Sequence, residues 1–418
     1  MKVIYIHQYF KTPRMSGGTR SYEMARRMVA AGWSVNMVTS KTPESPLQKG
    51  WVCTCEEGIV VHWYYLPYSN KMNFIARMKA FCLFSIAASF RAIRLKADII
   101  FATSTPLTVA LPGILVSKSK GVPMVFEVRD LWPDIPIAMG ILNNRLVCWF
   151  ARKLETITYH NSASVVALSP GMKEGIVRTG YPDANVAVIP NSCDIDLFRM
   201  VSQSRPPSGY EKILASAGPL ILYAGTLGQI NGTIMLVDLA VELKTRSSDV
   251  RILVVGDGAD RDRLKSLAIS SRVYGVNFFM ADPVSKEQMP FLLRHATIAC
   301  SLFIDLPEMR ANSANKVFDA MAAGTPVLIN YGGWMNEFLV DKNFGLSVWG
   351  LAIKEMAILI DEKLHDEEWL SAASDRAISM AKSYFDRDIL AAQLLEVLSA
   401  SALGDGAIAA DIAPGIYL

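Results

Sequence analysis

The run Asn312-Ser313-Ala314-Asn315-Lys316-Val317-Phe318-Asp319, continuing to Gly324 and Pro326, holds residues suited to phosphate and sugar chemistry. Small polar residues precede an apolar-periodic stretch, Gly324 ends it and Pro326 opens the next run, which predicts a helix starting at Ser313 or Ala314. The first turn of such a helix offers unpaired N–H groups and the positive end of the dipole, a site for a diphosphate. Asn315 and Lys316 stand on that turn, Lys316 adding a full positive charge, and Asp319 lies one turn further, spaced to meet a ribose diol. An ordinary capped helix with a surface Lys and Asp is the competing reading.

Three further clusters suggest chemistry less strongly. Gly17-Gly18 follow the first apolar run and precede a helix, where glycine lets backbone approach a phosphate or sugar closely, or simply makes a tight turn. Gly256-Asp257-Gly258 lacks the third glycine of a dinucleotide fingerprint. Asp194-Ile195-Asp196 has the form of a metal-binding DxD, but it follows Pro190-Asn191 at a helix start, so Asp194 reads as a cap and no metal is expected. Cys53 and Cys55 form a lone CxC, read as solvent-facing loop cysteines.

These residues must be positioned by a scaffold, and the apolar pattern indicates which. Lys2–His7, Ser34–Thr39, Ile59–Tyr65, Asp98–Ala102, Pro123–Val128 and Ser164–Leu168 read as strands, most of them apolar on both faces as in parallel sheets. Helical stretches such as 19–31 lie between them, which argues for βαβ units and a doubly wound sheet. Residues 201–218, with Pro206-Pro207 and four serines, read as a linker. The pattern then restarts with strand candidates Leu220–Ala224, Arg251–Val255, Asn277–Met280, Thr297–Leu302 and Pro326–Asn330. The expected organisation is an N-terminal domain over 1–200 and a C-terminal domain over 219–383. A helix over 384–403 would return to the first domain, and a loose tail over 404–418 would follow.

Composition narrows the function. Just over half of the 418 residues are hydrophobic, and a formal net charge of +3 is too small for a nucleic-acid binder. Six scattered cysteines do not make a disulfide framework, the N-terminus lacks a signal peptide, and a reducing cytosolic location is expected. The charge-free stretch Ala80 to Phe90 is too short to span a bilayer, which needs ~20 apolar residues.

Taken in order, several pieces resemble the bacterial members of glycosyltransferase family 4. They are Gly17-Gly18, Phe126 to Asp134 (FEVRDLWPD), Ala167 to Met172 (ALSPGM), Ile189 to Asp194 with Phe198, Tyr223-Ala224-Gly225, Val255 to Gly258 and the Asn312–Pro326 block. The resemblance covers nearly the whole chain and is most similar to O-antigen and capsule enzymes, including N-acetyl-L-fucosaminyl transferases. It implies the α/β GT-B fold, two Rossmann-like doubly wound domains facing across a cleft. It also implies a nucleoside-diphosphate-sugar donor (UDP-linked) on the C-terminal domain and an acceptor on the N-terminal one. The donor set carried over is Gly17, Gly18, Thr226, Asn315, Lys316 and Asp319, the last where the family has the second glutamate of its E-x7-E pattern. The first glutamate is replaced by Ala311, with Glu308 nearby, and the family's Arg and Lys after the first strand of that domain are replaced by Thr226 and Asn231.

On the same analogy His7, at the end of the first strand, is placed on the acceptor, or is a buried histidine. Asp130 would orient or deprotonate the acceptor hydroxyl and Arg129 would bind a phosphate, unless the two form a structural ion pair. The family retains anomeric configuration, with the leaving phosphate accepting the acceptor proton and no enzymic nucleophile. Six cations among aromatic and aliphatic residues over Asn70–Lys96 suggest a helix lying on anionic membrane, with Phe81 and Phe84 inserted, or a core helix with a basic face. The expected function is transfer of a sugar to a polyprenyl-diphosphate-linked saccharide in O-antigen or capsule synthesis. The expected location is peripheral on the inner face of the inner membrane, with no cofactor. A sugar-nucleotide epimerase of the same fold, or a non-catalytic nucleotide-sugar-binding subunit, is the alternative.

Overall fold

Runs of Val and Ile buried on both faces form parallel strands, and here they build two sheets. The computed structural model describes residues 1–15, 17–45, 47–69, 72–199, 209–214 and 216–404. The first sheet contains β1 (Lys2–Ile6), β2 (Ser34–Lys41), β3 (Trp51–Glu56), β4 (Ile59–Tyr65), β5 (Ile99–Thr103), β6 (Met124–Val128), β7 (Ser164–Ala167) and β8 (Val186–Val188). Its order is β3-β4-β2-β1-β5-β6-β7-β8, parallel throughout except for the antiparallel edge pair β3–β4. Strand β1 sits between β2 and β5, so strand order reverses there and the carboxyl ends of β1, β5 and β6 border the ligand crevice of a doubly wound sheet.

The second sheet contains β9 (Leu220–Ala224), β10 (Arg251–Val255), β11 (Phe278–Ala281), β12 (Ile298–Ser301), β13 (Val327–Ile329) and β14 (Gly345–Ser347). It is wholly parallel, in the order β11-β10-β9-β12-β13-β14, with its reversal at β9 and β12. Two doubly wound α/β units are therefore present, as the alternation of strand and helix patterns predicts. Three strands escape the pattern. β8 and β14 are three residues long, too short to show a period, and β3 is an exposed edge strand with no Val or Ile run, Val52 being its one such residue. Cys53 and Cys55 accordingly lie in a strand and not in the loop expected for them, although both are exposed.

The described chain forms two units, one of Met1–Pro190, Ala311–Ser313 and residues 388–404, the other of Asn191–Arg310 and Ala314–Arg387. The last helix, Arg387–Leu403, buries Leu390, Leu394, Val397 and Leu398 in the first unit's core beside Val3, Tyr5 and Phe101. Truncating one such leucine to alanine costs about 2–5 kcal/mol, so this helix is a structural part of the first unit. Residues 201–208 of the expected linker and 405–418 of the expected tail lie outside the described residues.

Candidate active site

In the second unit the helix Asn315–Ala323 starts one residue after the expected position, with Ala314 as its N-cap. Alanine has no side chain with which to cap; Val317 N–H donates to the Ala314 carbonyl at 3.1 Å, and the Asn315 and Lys316 N–H groups have no hydrogen-bond partner among the described residues. The helix ends at Gly324, whose φ of 72° is a left-handed conformation that closes a helix well only as glycine. Val317, Phe318, Ala320 and Met321 bury one face, which fixes the direction in which Lys316 points.

Lys316 is half-buried and reaches back to the loop that follows β9. Its Nζ donates to the Tyr223 hydroxyl at 3.2 Å and lies 4.5 Å from the centre of the Tyr223 ring. A Cβ on Gly225 would stand 3.4 Å from Nζ. The Tyr223 hydroxyl in turn donates to the Thr226 carbonyl at 2.7 Å. Among the described residues no carboxylate pairs with Lys316, and burial pushes its ammonium down to about 8. A half-buried cation held by an aromatic face, without a counter-ion, is poised to take an anion.

Thr226 is exposed on the same loop, and Asn315 is half-buried at the first helical position. The glycines of Gly256-Asp257-Gly258 have a packing role. A Cβ on Gly256 would come within 1.9 Å of the Gly225 carbonyl, and one on Gly258 within 2.2 Å of the Leu227 carbonyl. The loops after β9 and β10 thus touch backbone to backbone, joined by hydrogen bonds from Gly225 and Leu227 to Val255 and Asp257 carbonyls.

Asp319 is buried, and its Oδ2 is held by Lys286 Nζ at 2.5 Å. Its Oδ1 is buried without a hydrogen-bond partner, as is Glu308 Oε2. Lys286 went unnoticed in the sequence, where it stands 33 residues away in an unremarkable polar run. Asp194 is bound by Arg387 at 3.0 Å, which commits its carboxylate to an ion pair within the unit. Ala311 is also explained locally. It belongs to the first unit, where its carbonyl accepts from Ser169 Oγ at 2.5 Å and its Cβ would stand 3.0 Å from a Cβ at Gly171. A glutamate at this position would have to fit into a tight contact.

In the first unit, His7 follows β1 and is buried, and burial followed by Arg129 lowers its pKa well below the usual imidazole range. Arg129 Nη1 lies 3.5 Å from His7 Nε2, and because a guanidinium can only donate, the ring proton sits on Nδ1. That Nδ1 has no hydrogen-bond partner among the described residues. Asp130 accepts from Thr105 Oγ1 at 3.0 Å, and burial raises its pKa while Thr105 and Arg129 lower it. The charge of Arg129 acts on Asp130, but no direct ion pair joins the two among the described residues. Gln8, fully buried with neither amide atom satisfied, also faces no protein partner and was not singled out from the sequence.

Gly17 adopts φ of 128°, open only to glycine, and a Cβ there would press on Lys11 Cγ at 3.3 Å. The helix that follows Gly17 and the exposed Gly18, Arg20–Ala30, is pinned at its first residue. Arg20 donates to Glu127 Oε1 and to the carbonyls of Ile189 and Pro190, and Thr103 donates to Glu127 Oε2 at 2.6 Å. This buried network fixes the glycine loop relative to β5, β6 and β8.

The Asn70–Lys96 expectation needs correction in detail. Asn70 and Lys71 lie outside the described residues, and the helix runs Phe74–Ile93. Phe81 and Phe84 are core residues, 4% and 0% exposed, because the helix is apolar on several sides and these two phenylalanines lie on its inner face. Its outward apolar residues are Ile75, Leu83, Ile86 and Phe90. The helix packs on Ala110–Lys120, which exposes Leu111 and Leu115 and packs in turn on Arg145–His160. That third helix exposes Leu146, Val147, Trp149 at 53% and Phe150 at 63%, residues that the sequence alone did not bring out. Within one unit, then, three successive neighbours present large apolar side chains to solvent. No helix among the described residues is long and apolar enough to cross a membrane.

Two doubly wound units, one carrying an anion-ready helix N-terminus beside a glycine loop, define a GT-B glycosyltransferase. Residues 17–192 match the family model of the glycosyl transferase 4-like domain and residues 211–380 that of glycosyl transferases group 1, and the chain belongs to these families. Both halves of the chain thus match glycosyltransferase domains. Over 205 residues it is 24% identical to the lipopolysaccharide 1,2-N-acetylglucosaminetransferase of Salmonella typhimurium, which is 48% of this chain and 52% of that protein. The match thus spans about half the length of that relative. It is 22% identical to the alpha-D-kanosaminyltransferase of Streptomyces kanamyceticus over 67% of this chain and 71% of that one. Among solved structures, HepE of Anabaena in complex with UDP and glucose superposes with a TM-score of 0.70, at 17% identity, over 96% of this chain and all of that one.

Proposed function

We propose that this enzyme moves a sugar from a UDP-linked donor to a polyprenyl-diphosphate-linked saccharide, in O-antigen or capsule synthesis, while docked on the cytoplasmic face of the inner membrane. The observation that carries the membrane reading is the exposed apolar face of the three helices Phe74–Ile93, Ala110–Lys120 and Arg145–His160. Exposed large apolar side chains on neighbouring helices suit an interaction site, and the same helices carry cations: Arg77 and Lys79, then Lys118 and Lys120, then Arg145, Arg152 and Lys153. Aromatic residues beside Lys and Arg suit an anionic bilayer surface, each cation adding about 1 kcal/mol. The lipopolysaccharide substrate in the name of the Salmonella relative agrees with a lipid-linked acceptor.

Chemistry would proceed by attack of the acceptor hydroxyl on the anomeric carbon, with the bond to the diphosphate breaking and nucleoside diphosphate leaving. Lys316 and the N-terminus of its helix would hold the diphosphate and stabilise the charge it gains. Asp319, oriented by Lys286, would offer its unpaired Oδ1 to the ribose, with Asn315 and Thr226 alongside. His7 Nδ1–H would donate to an acceptor oxygen and Asp130 would orient the attacking hydroxyl, with Arg129 holding a phosphate. The configuration is retained, the leaving phosphate takes the proton, and no metal is needed because Lys316 and the helix dipole supply the positive charge.

Liposome co-sedimentation tests the docking. The protein should bind vesicles of phosphatidylglycerol and phosphatidylethanolamine in a salt-sensitive way. Trp149→Ser with Phe150→Ser should abolish most binding while leaving the thermal midpoint unchanged, because both side chains are exposed. Unaltered binding by the double variant would remove these helices from any membrane contact.

A further inference from the structure

The edge hairpin β3–β4 carries a side-chain cluster unrelated to sugar transfer. Cys53 and His62 face each other across the two strands, and Cys53 Sγ lies 3.1 Å from His62 Nδ1. His62 Nε2 lies 3.1 Å from Asn36 Oδ1 on β2. Arg91, from the helix Phe74–Ile93, reaches both partners: Nη2 stands 3.0 Å from Cys53 Sγ and 2.8 Å from His62 Nδ1.

Donor rules fix the protons. Arg91 can only donate, so His62 Nδ1 is an acceptor and its proton lies on Nε2, directed at Asn36. Burial, then Arg91, pushes the His62 pKa down to about 4, so the ring is neutral at neutral pH and its Nδ1 lone pair accepts from Arg91. The sulfur therefore faces a cation able to pair with its thiolate, and that guanidinium is held in place by His62, itself oriented by Asn36. That is the general arrangement of an activated nucleophile. Arg91 has no carboxylate partner among the described residues. Its other contact is the Trp51 ring, 5.7 Å from the guanidinium carbon, so its charge is not neutralised by a side chain. Cys53 is exposed, and a reagent can reach it.

We propose that Cys53 is a nucleophilic modification site that undergoes exchange with low-molecular-weight disulfides, activated by Arg91 and His62. The Cys53 sulfur attacks one sulfur of the disulfide R–S–S–R. A Cys53–S–S–R bond forms, the original S–S bond breaks, and R–S⁻ leaves with the electron pair. The thiol proton is lost to solvent before the attack, and the departing thiolate takes one from solvent. Cys53 is oxidised and one half of the disulfide is reduced, and the step runs backwards with excess thiol.

Two other exposed cysteines, Cys55 and Cys82, serve as controls within the same molecule. The full-length reduced protein is treated with glutathione disulfide, and separately with limiting iodoacetamide, and adducts are followed by peptide mass mapping. Cys53 should react about tenfold faster than either control in the folded protein, and at the same rate as both in urea, since reactivity follows thiolate stabilisation. Arg91→Gln should bring Cys53 close to the control rate without altering Cys55 or Cys82. Asn36→Ala, which leaves His62 free to turn, should give a smaller loss of the same kind. Equal rates at the three thiols in the folded protein, or an unchanged Cys53 rate in Arg91→Gln, would overturn the proposal.

Discussion

Replacing Lys316 by methionine should remove activity and add stability. The ammonium is half-buried without a carboxylate partner, and its folded pKa of about 8 lies below the ordinary 10.5. At 1.36 kcal/mol per pKa unit the upper bound on this cost is about 3 kcal/mol, and with partial exposure ~1–2 kcal/mol is expected. The cost is fully present below pH 8 and fades as pH rises toward 10.5, so at pH 7 the methionine variant should melt about 2–4 °C higher. With a diphosphate bound, the same ammonium makes charge-assisted hydrogen bonds worth about 1.5–3 kcal/mol, so kcat/KM should fall roughly 10- to 150-fold. The wild-type enzyme should also lose kcat/KM above about pH 8, as the free enzyme's ammonium deprotonates, and Lys316→Arg should move that limb upward. Steady-state kinetics across pH and differential scanning fluorimetry measure both effects. A variant with normal kcat/KM, or one that melts lower than wild type, would refute the assignment of Lys316 as an anion ligand.

Other outcomes follow from the same geometry. Asp319→Ala should raise the donor KM about tenfold with little change in kcat, by loss of uniform ribose binding, and an effect confined to kcat would contradict that role. Activity should persist in excess EDTA, whereas strict loss restored by Mn²⁺ or Mg²⁺ would show that Lys316 and the helix dipole are insufficient. Ala311→Glu, which restores the family's residue, should lower stability by about 1–3 kcal/mol through overpacking beside Gly171, read as a lower melting temperature, and should not raise turnover. Increased kcat in that variant would show that the carboxylate finds room toward the donor.

How much of this was legible in the chain depends on the range of the interaction. The helix Asn315–Ala323 could be read because its signals are local: small polar residues before it, an apolar stripe within it and Gly324 after it. Strands β4, β9 and β10 fall where the Val and Ile runs predict them. The pairing of Asp319 with Lys286, the Arg20–Glu127 network and the Ala311–Gly171 contact join residues far apart in sequence, and no periodicity encodes them. The exposed face was misjudged for a different reason. The helix Phe74–Ile93 is apolar on most sides, so its composition suggested a surface role for Phe81 and Phe84 that packing assigns to Leu83, Ile86 and Phe90. Trp149 and Phe150 sit in a helix whose polar residues disguised them until the fold showed which side faces solvent.

The central claim is transfer from a nucleotide sugar to a membrane-borne acceptor. It is tested most directly by incubating the purified enzyme with radiolabelled UDP-sugars, each with and without vesicles carrying a polyprenyl-diphosphate-linked saccharide. Label should enter the organic phase with at least one donor and only when acceptor vesicles are present, and the Trp149→Ser, Phe150→Ser variant should transfer less to vesicles than to a short soluble analogue. Conversion of the donor without acceptor, or transfer to soluble sugars alone with no label in lipid, would contradict the account.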